Sequence, residues 1–266
     1  MYLRREKKRM PDYGFGVSVA QTGLDSARLS LQVTANNLAN MATPGFQAEL
    51  PSRFTAAAVA RPVGLWAGTG AVNVLPEAVA AGTVEGPSLA NMQVGPLQPT
   101  GVATDFALSV PGYFPIGTGH GIAYTRNGAF HQSPQGMLVT AQGHPVLGLN
   151  MKPIVVKGPL TVQNGSVYTA QGKLAAKLAV ARFTNPNGLR NLGDSLLTPT
   201  RASGGATYLP ALGLDVQSGY LEGSNVSLAN AMGALISEQA QFAMSAKALQ
   251  QASSLAATTA QMAKGL

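Results

Sequence analysis

The sequence of 266 residues contains no cysteine, and only 11% of its residues are charged. The absence of cysteine excludes disulfide bonds, thiolate zinc sites and a catalytic thiol. Soluble domains usually carry about 25% Asp, Glu, Lys and Arg, so the low charge excludes disorder driven by charge and a surface densely covered by ions. It indicates that much of the surface is covered by something other than water. The length is sufficient for one or two domains with a real core.

Long apolar runs are also missing. No window holds 18 consecutive apolar residues, so no membrane insertion is expected. The first ten residues carry five cations against one anion, which is more than half of the net charge of +7, but no apolar stretch follows them as in a secretory signal peptide. Residues 1–15 are predicted to be a basic, disordered extension. It is a tail for an anionic partner, a disordered tail without a specific partner, or a stretch upstream of a natural start at Met10.

Two segments near the ends of the chain have the heptad spacing of packed helices. In the first, about residues 16–41, the row includes Leu24, Leu31 and Leu38. In the second, about residues 225–263, it runs through Leu228, Leu235, Phe242 and Leu249, with a companion row at Met232, Gln239, Ala246, Ser253 and Ala260. The helices are therefore expected to pack along these rows.

Residues at the helix ends predict where each helix stops or starts. Thr43, Pro44 and Gly45 disfavour helical geometry, so the first helix should end near Asn40. Ser224 or Asn225 is the predicted N-cap of the second helix.

Both helices lack the Glu and Lys residues that normally flank a solvated coiled coil. One interpretation is a simple two-helix hairpin that closes a monomer. The other is packing against further copies of the chain, because a polar but uncharged face permits such contacts without burying ions.

Between the helices the hydrophobic period changes to 2, which predicts short β-strands. Such runs occur at Phe106–Val110, Ile122–Tyr124, Met137–Val139, Pro145–Leu147 and Lys177–Phe183, separated by turn signals such as Asn127-Gly128. The predicted fold class is α+β, with paired terminal helices and a central, mainly antiparallel β-domain at residues 100–221. Residues 16–46 and 222–264 form a discontinuous helical domain, and residues 47–99 an extended linker.

Signals for enzymatic chemistry are poor. His120, His131 and His144 have spacings that match no metal motif, and no acidic cluster accompanies them. No carboxylate pair, nucleophile motif or phosphate-binding loop is present. The expectation is therefore no catalytic, cofactor-binding or metal-binding residue. Nucleic-acid binding is not expected either, because the basic residues outside the first ten form no patch in sequence.

Three stretches resemble the flagellar rod and hook family in family order. The first is Ala35-Asn-Asn-Leu-Ala-Asn-Met-Ala-Thr-Pro-Gly-Phe-Gln-Ala-Glu49. The second is Gly121-Ile-Ala-Tyr-Thr-Arg-Asn-Gly-Ala-Phe130, followed by Gly143-His-Pro-Val-Leu-Gly148. The third is Gly219-Tyr-Leu-Glu-Gly-Ser-Asn-Val226, with Gln241-Phe-Ala-Met244 in the helix behind it. Thr43–Glu49 and Leu221–Asn225 look most like the proximal-rod branch; the distal-rod branch usually has threonine at Gly223. One departure is Ala240, where relatives commonly carry arginine.

This resemblance implies a structural subunit that is not an enzyme. Family members pair their terminal helices in the inner layer of a hollow helical tube, outside which the β-domain lies. The implied partners are copies of the chain, other rod and hook proteins and the flagellar type III export apparatus, and the implied location is the basal body in the cell envelope. The motif residues carried over are Asn36, Asn37, Leu38, Ala39, Asn40, Thr43, Pro44, Gly45, Phe46, Glu222, Ser224, Asn225 and Val226. Asn36, Asn37 and Asn40 are expected to cap the first helix, and Phe46 to anchor the turn.

Other classes of function compete with this interpretation. The nearest alternative is a distal-rod or hook subunit of the same axial family. A secreted cell-wall hydrolase is disfavoured by the absence of an acid/base constellation. A free adhesin or binding module would be a monomer with protease-resistant termini, whereas a rod subunit should be trimmed to roughly its β-domain before assembly.

Overall fold

A computed structural model describes residues 14–55, 83–85, 88–163, 165–210 and 216–264. The predicted basic extension up to residue 13 and the part of the predicted linker at 56–82 lie outside these ranges. The chain divides into two compact units. One comprises Met1–Ala35, Pro51–Ser88 and Met232–Leu266, and the other comprises Asn36–Leu50 and Leu89–Ala231. We call them the helical unit and the β unit.

In chain order, one long helix precedes the strands and another follows them, so the α+β class predicted from the sequence is confirmed. Helix α1 spans Gly14–Ala39, and helix α2 spans Leu228–Lys264. The end of α1 agrees with the predicted stop near Asn40. The predicted N-cap of α2 is wrong, because the Ser227 hydroxyl accepts the backbone N–H of Asn230 at 3.5 Å and the Ser227 carbonyl accepts that of Ala231. The helix therefore begins two to three residues later than the motif suggested.

The strands within the described ranges are short. In chain order they are β1 (Glu49–Leu50), β2 (Arg53–Thr55), β3 (Thr83–Glu85), β4 (Leu89–Ala90), β5 (Leu97–Pro99), β6 (Phe106–Leu108), β7 (Phe114–Thr118), β8 (Gly121–Thr125), β9 (His131–Gln132), β10 (Leu138–Val139), β11 (Leu160–Gln163), β12 (Ser166–Thr169), β13 (Leu174–Lys177), β14 (Ala179–Arg182), β15 (Arg190–Gly193), β16 (Leu196–Thr198), β17 (Thr207–Pro210), β18 (Val216–Ser218) and β19 (Tyr220–Glu222). Residues 47–99, predicted as an extended linker, thus contribute β1 to β5.

Antiparallel pairing organises the β unit. One sheet has the order β15-β16-β8-β7, and another has the order β11-β12-β13. The last strands return to the first ones: β18 pairs with β6, and β19 pairs with β5. The chain therefore closes the β unit with its C-terminal strands immediately before α2 begins.

The core of the β unit lies between these sheets and strand pairs. Some of its largest fully buried side chains, such as Phe106 and Leu138, lie in the runs predicted by the period of 2. Others do not: Phe114 and Ile116 on β7 are completely inaccessible, and β7 was not predicted. The rings of Phe114 and Phe130 meet edge to face, with centroids 5.4 Å apart. Further members include Phe106, Leu108, Leu138, Val146, Ile154, Val167, Leu178 and Val180. Burial of this apolar area supplies the main driving force for folding of the unit.

The two helices differ in the kind of surface that they bury within the helical unit. Small and polar residues form the buried face of α1, including Ser26, Ala27, Ser30, Val33 and Thr34. A Cβ atom added at Gly23 would lie 3.9 Å from the Ser245 hydroxyl oxygen, so α2 passes close to α1 at this point. Small residues permit such close approach of helices.

The half-buried face of α2 is only partly the predicted one. Leu235, Phe242 and Leu249 are half-buried, as their spacing indicates. Of the predicted companion row, Met232, Gln239, Ser253 and Ala260 are exposed in this structure and only Ala246 is half-buried. The second half-buried row is Glu238, Ser245, Ala252 and Thr259. A second row can follow the row of Leu235 by three or four residues, and in this structure it follows by three.

In the described part of the chain, neither helix combines the length and the apolar character needed to cross a membrane.

Candidate functional site: the junction of the two terminal motifs

The N-terminal motif turns the chain back after α1. The backbone N–H of Thr43 donates to Asn40 at 3.1 Å, and that of Phe46 donates to Thr43 at 3.2 Å. The Asn40 side-chain amide donates to the backbone carbonyl of Asn36 at 3.0 Å, while the Thr43 hydroxyl donates to Asn40 Oδ1 at 3.3 Å. The Asn36 carbonyl also accepts the backbone N–H of Asn40 at 3.0 Å, so Asn40 adds a second donor to this carbonyl at the end of α1.

Asn37 has a different contact from the expected cap. Its Nδ2 donates to the backbone carbonyl of Glu49 at 2.7 Å, and its Oδ1 accepts the backbone N–H of Glu49 at 2.8 Å. The side-chain amide of Asn37 therefore bonds to both backbone groups of Glu49, as a residue of an adjacent β-strand does. It fixes β1 against the last turn of α1.

Asn225 of the C-terminal motif joins three segments of the chain. Its Oδ1 accepts the backbone N–H of Ala48 at 2.7 Å. Its Nδ2 donates to the carbonyls of Asn91 at 2.9 Å and Gln93 at 2.8 Å. The backbone N–H of Asn225 also donates to the Phe46 carbonyl at 3.3 Å. The two terminal motifs thus meet directly, and the segment around residue 92 closes the contact.

Replacement of Asn225 by alanine is expected to lower the free energy of unfolding of the β unit by about 1–3 kcal/mol, because partly buried backbone groups of Ala48 and Asn91 lose their partner. Urea unfolding of the purified protein measures the change. Asn230→Ala is the matched control, since Asn230 is exposed in the first turn of α2. Equal stability of the two variants would show that the Asn225 side chain is not a structural link.

A buried ion pair lies beside this contact. Arg126 Nε is 2.8 Å from Glu222 Oε1 and 2.7 Å from Oε2, and the two side chains are 2% and 3% exposed. Glu222 Oε1 also accepts the backbone N–H of Gly95 at 2.9 Å. The terminal nitrogens of Arg126 donate to the carbonyls of Gly112 at 2.9 Å and Leu108 at 3.3 Å. Both charges are therefore matched by an opposite charge and by hydrogen bonds, which burial of ions requires.

Glycines allow the backbone to approach this pair. The N–H of Gly45 donates to the backbone carbonyl of Glu222 at 2.7 Å. Gly45 has a φ of +67°, and a Cβ there would lie 2.5 Å from the carbonyl carbon and oxygen of Arg126. A Cβ at Gly95 would collide with the carbonyl of Gly223. The Thr-Pro-Gly turn therefore needs glycine both for its conformation and for contact with Arg126. We call residues 36–50, 91–97 and 222–226, together with Arg126, the junction.

A cavity of about 180 Å³ adjoins the junction, and Tyr113, Phe183, Met92 and Gln47 are among its lining residues. The Tyr113 hydroxyl donates to Gln47 Oε1 at 3.1 Å. Burial raises the pKa of Tyr113 to about 12, with a smaller rise from Glu222 and an opposing effect of Arg126. Among the described residues no group of three His, Cys, Asp or Glu side chains could hold a metal ion. The arrangement is one of structural contacts.

The structure brings the residues of the N-terminal and C-terminal motifs together in the junction. The residues predicted to pack the helices lie at separate positions along α1 and α2. Leu24 and Leu31 are half-buried on α1, as are Leu235, Phe242 and Leu249 on α2, whereas Leu228 is 46% exposed. Among the remaining motif residues, Asn36 and Ala39 are exposed, and Leu38, Pro44, Ser224 and Val226 are half-buried. The assembly roles assigned to these residues stay predictions.

Arg126 is the junction residue that the sequence reasoning missed. It lies in the quoted stretch Gly121–Phe130, yet the only signal for it is an arginine directly after a β-like run and before an Asn-Gly turn. A cation at such a place is normally exposed. Its carboxylate partner is 96 residues away in sequence, so no spacing connects the two.

The fold and the junction define a structural protein in which one helix precedes the strands, another follows them, and both terminal motifs bond to one β unit. Three protein families match in chain order. They are described as "Flagella basal body rod protein" at residues 18–47, "Flagellar hook protein FlgE/F/G D1 domain" at residues 107–177 and "Flagellar basal body rod FlgEFG protein C-terminal" at residues 217–262.

Similar proteins extend over nearly the whole chain. The flagellar basal-body rod protein FlgG of Agrobacterium fabrum is 32% identical over 90% of this chain and 96% of its own length. The FlgG of Buchnera aphidicola from Schizaphis graminum is 31% identical over 87% of this chain and 93% of its own length. The flagellar basal-body rod protein FlgF of Escherichia coli is 34% identical over 85% and 90%, respectively. The chain therefore belongs to the flagellar basal-body rod FlgE/F/G family.

Proposed function

We propose that this chain is a structural subunit of the bacterial flagellar rod and is located in the flagellar basal body. The observation that carries this proposal is the junction, in which the family motifs of both chain ends hold each other through Asn225 and Glu222. Family membership and the FlgG and FlgF relatives support the same role. The subunit acts by assembly rather than by catalysis.

Assembly is proposed to occur through the terminal helices, and the surface of α2 supports this. Leu228, Met232 and Ile236 follow one another at intervals of four and are 46%, 51% and 68% exposed. A second set, Met244, Leu255 and Met262, is 65–66% exposed on another side of the helix. Such apolar surface on a soluble subunit indicates a contact that forms in an assembly. Copies joined by heterologous contacts, which do not close, would build a helical tube with the helices inside.

The charge distribution in the described helices fits this arrangement. Asp25 and Arg28 on α1, and Glu238 and Lys247 on α2, stand among long uncharged stretches. Neighbouring subunits can cover such surfaces without burial of unpaired ions, which is costly. The proposed partners are copies of this chain, other rod and hook proteins and the type III export apparatus that delivers the chain to the growing rod.

Within the rod we propose the proximal position, as in FlgF. The stretch Leu221-Glu-Gly-Ser-Asn225, with glycine at 223, and the 34% identity with the Escherichia coli FlgF support this choice. The distal position is the alternative, because several relatives at 30–32% identity are named FlgG. Labelling of an epitope-tagged chain in isolated basal bodies distinguishes the two: label close to the inner membrane supports the proximal position, and label close to the hook contradicts it.

Deletion of the gene tests the function itself. We expect non-motile cells with truncated, hookless basal bodies, and restoration of both motility and hooks by the intact gene on a plasmid. Electron microscopy of purified basal bodies provides the measurement. Complete hook–basal bodies in the deletion strain would contradict the proposal.

A further inference from the structure

The buried ion pair Arg126–Glu222 contacts several segments of the chain that are distant from each other in sequence. Glu222 contacts Arg126 and Gly95 through its side chain and Gly45 through its backbone carbonyl. Arg126 in turn holds the carbonyls of Leu108 and Gly112. The pair is thus the common neighbour of the N-terminal motif, the segment before β5, the end of β6 and the C-terminal strand β19.

We propose that this ion pair is a latch that makes the fixation of the N-terminal motif depend on the arrival of the C-terminal motif. Gly45 lies against the backbone of Arg126 and also donates to Glu222. An Arg126 side chain without Glu222 would be a buried cation among neutral carbonyls, so it would leave its place and move the backbone on which Gly45 rests. Residues 45–50 therefore keep their place only when residue 222 has reached the β unit.

The coupling has a consequence for the helix ends. The last turn of α1, from Asn36, and the first turn of α2, up to Ala231, both belong to the β unit. Asn37 is tied to Glu49, and Asn225 is tied to Ala48, so both helix ends are positioned by residues adjacent to the latch. In a chain whose C-terminal strands have not yet paired, the last turn of α1 and the first turn of α2 would therefore lack their native contacts within the β unit. Arg126 and Glu222 therefore act as positioning residues for the N-terminal and C-terminal motifs.

Hydrogen exchange on the full-length purified protein tests the latch without reference to rod assembly, so its outcome is independent of the proposed function. Glu222→Gln keeps the shape of the side chain but removes its charge and one acceptor. We expect the backbone amides of Ala48 and Glu49, which do not touch Glu222, to exchange at least about tenfold faster. The amide of Gly95 should follow. The amides of β11–β13 should keep their native rates.

Glu238→Gln is the matched control, because it makes the same change on α2 in the helical unit. Native exchange at Ala48 and Glu49 in the Glu222→Gln variant, with faster exchange at Gly95 alone, would overturn the latch and leave only a local bond. If that variant loses protection throughout the β unit, Glu222→Asp decides, since it withdraws the carboxylate from Arg126 Nε by one methylene while it avoids the larger loss caused by removal of the charge. Faster exchange at Ala48 and Glu49 with native β11–β13 supports the latch, and native exchange at these two amides overturns it.

Discussion

Arg126→Met should lower the free energy of unfolding of the β unit by about 3–5 kcal/mol, because it leaves the carboxylate of Glu222 buried without its counterion. Methionine fills a similar volume, so the effect does not come from a large cavity. The carbonyls of Leu108 and Gly112 lose their donors as well. Guanidinium-induced unfolding of the purified protein, followed by near-ultraviolet circular dichroism of the aromatic core, gives the value.

Arg182→Met is the control for this substitution. Arg182 is exposed and donates from Nε to the Pro111 carbonyl at 3.1 Å, so its loss should change the stability by less than about 1 kcal/mol. A similarly small effect for Arg126→Met would show that the buried pair contributes little beyond its volume. Such a result would also contradict the interpretation that the ion pair between Arg126 and Glu222 stabilises the contact between the two terminal motifs.

Leu235→Asp is expected to abolish swimming and to stop rod assembly while the β unit stays folded. Leu235 is half-buried on α2 within the row that continues through Phe242 and Leu249. An aspartate there places a charge on a half-buried helix face, and no cation on the same row could compensate it. The residue belongs to the helical unit, so the core around Phe114 is not disturbed.

Swimming in soft agar and electron microscopy of basal bodies measure the effect of Leu235→Asp, and circular dichroism of the purified variant checks the β unit. Leu174→Asp is the matched control, since Leu174 is 46% exposed on β13 of the β unit. A motile Leu235→Asp strain would refute assembly through this face of α2. Equal loss of motility for both variants would point to a general effect of the substitution.

The sequence predicted the elements whose signals are local and repeated. The heptad rows marked both helices to within a few residues, and the Thr43-Pro44-Gly45 stretch marked the end of the first. Runs of period 2 located β6 and β8. The sheet β11-β12-β13 was missed. Its strand β13 reads Leu-Ala-Ala-Lys, which has neither alternation nor β-branched residues.

Within the candidate site, the sequence identified the motif residues, but it did not identify the residues to which they form hydrogen bonds. The Asn40 side chain bonds within the end of α1, to the Asn36 carbonyl. Asn37 bonds instead to Glu49, and Asn225 bonds to Ala48, which is 177 residues distant in sequence. An asparagine near a helix end is compatible with a cap, a turn or a long-range bond, and these choices differ by only one or two hydrogen bonds. The position of the distant backbone decides among them.

The amino-acid sequence by itself determined the α+β class, the two terminal helices and the likeness to the rod and hook family, because these depend on periodicity and on contiguous motifs. The tertiary structure alone decided which row of α2 is half-buried beside Leu235 and which carboxylate neutralises Arg126. The physical reason is that a buried charge is tolerated only beside an opposite charge. Arg126 and Glu222 come together only when β19 has paired with β5 and the β unit has closed.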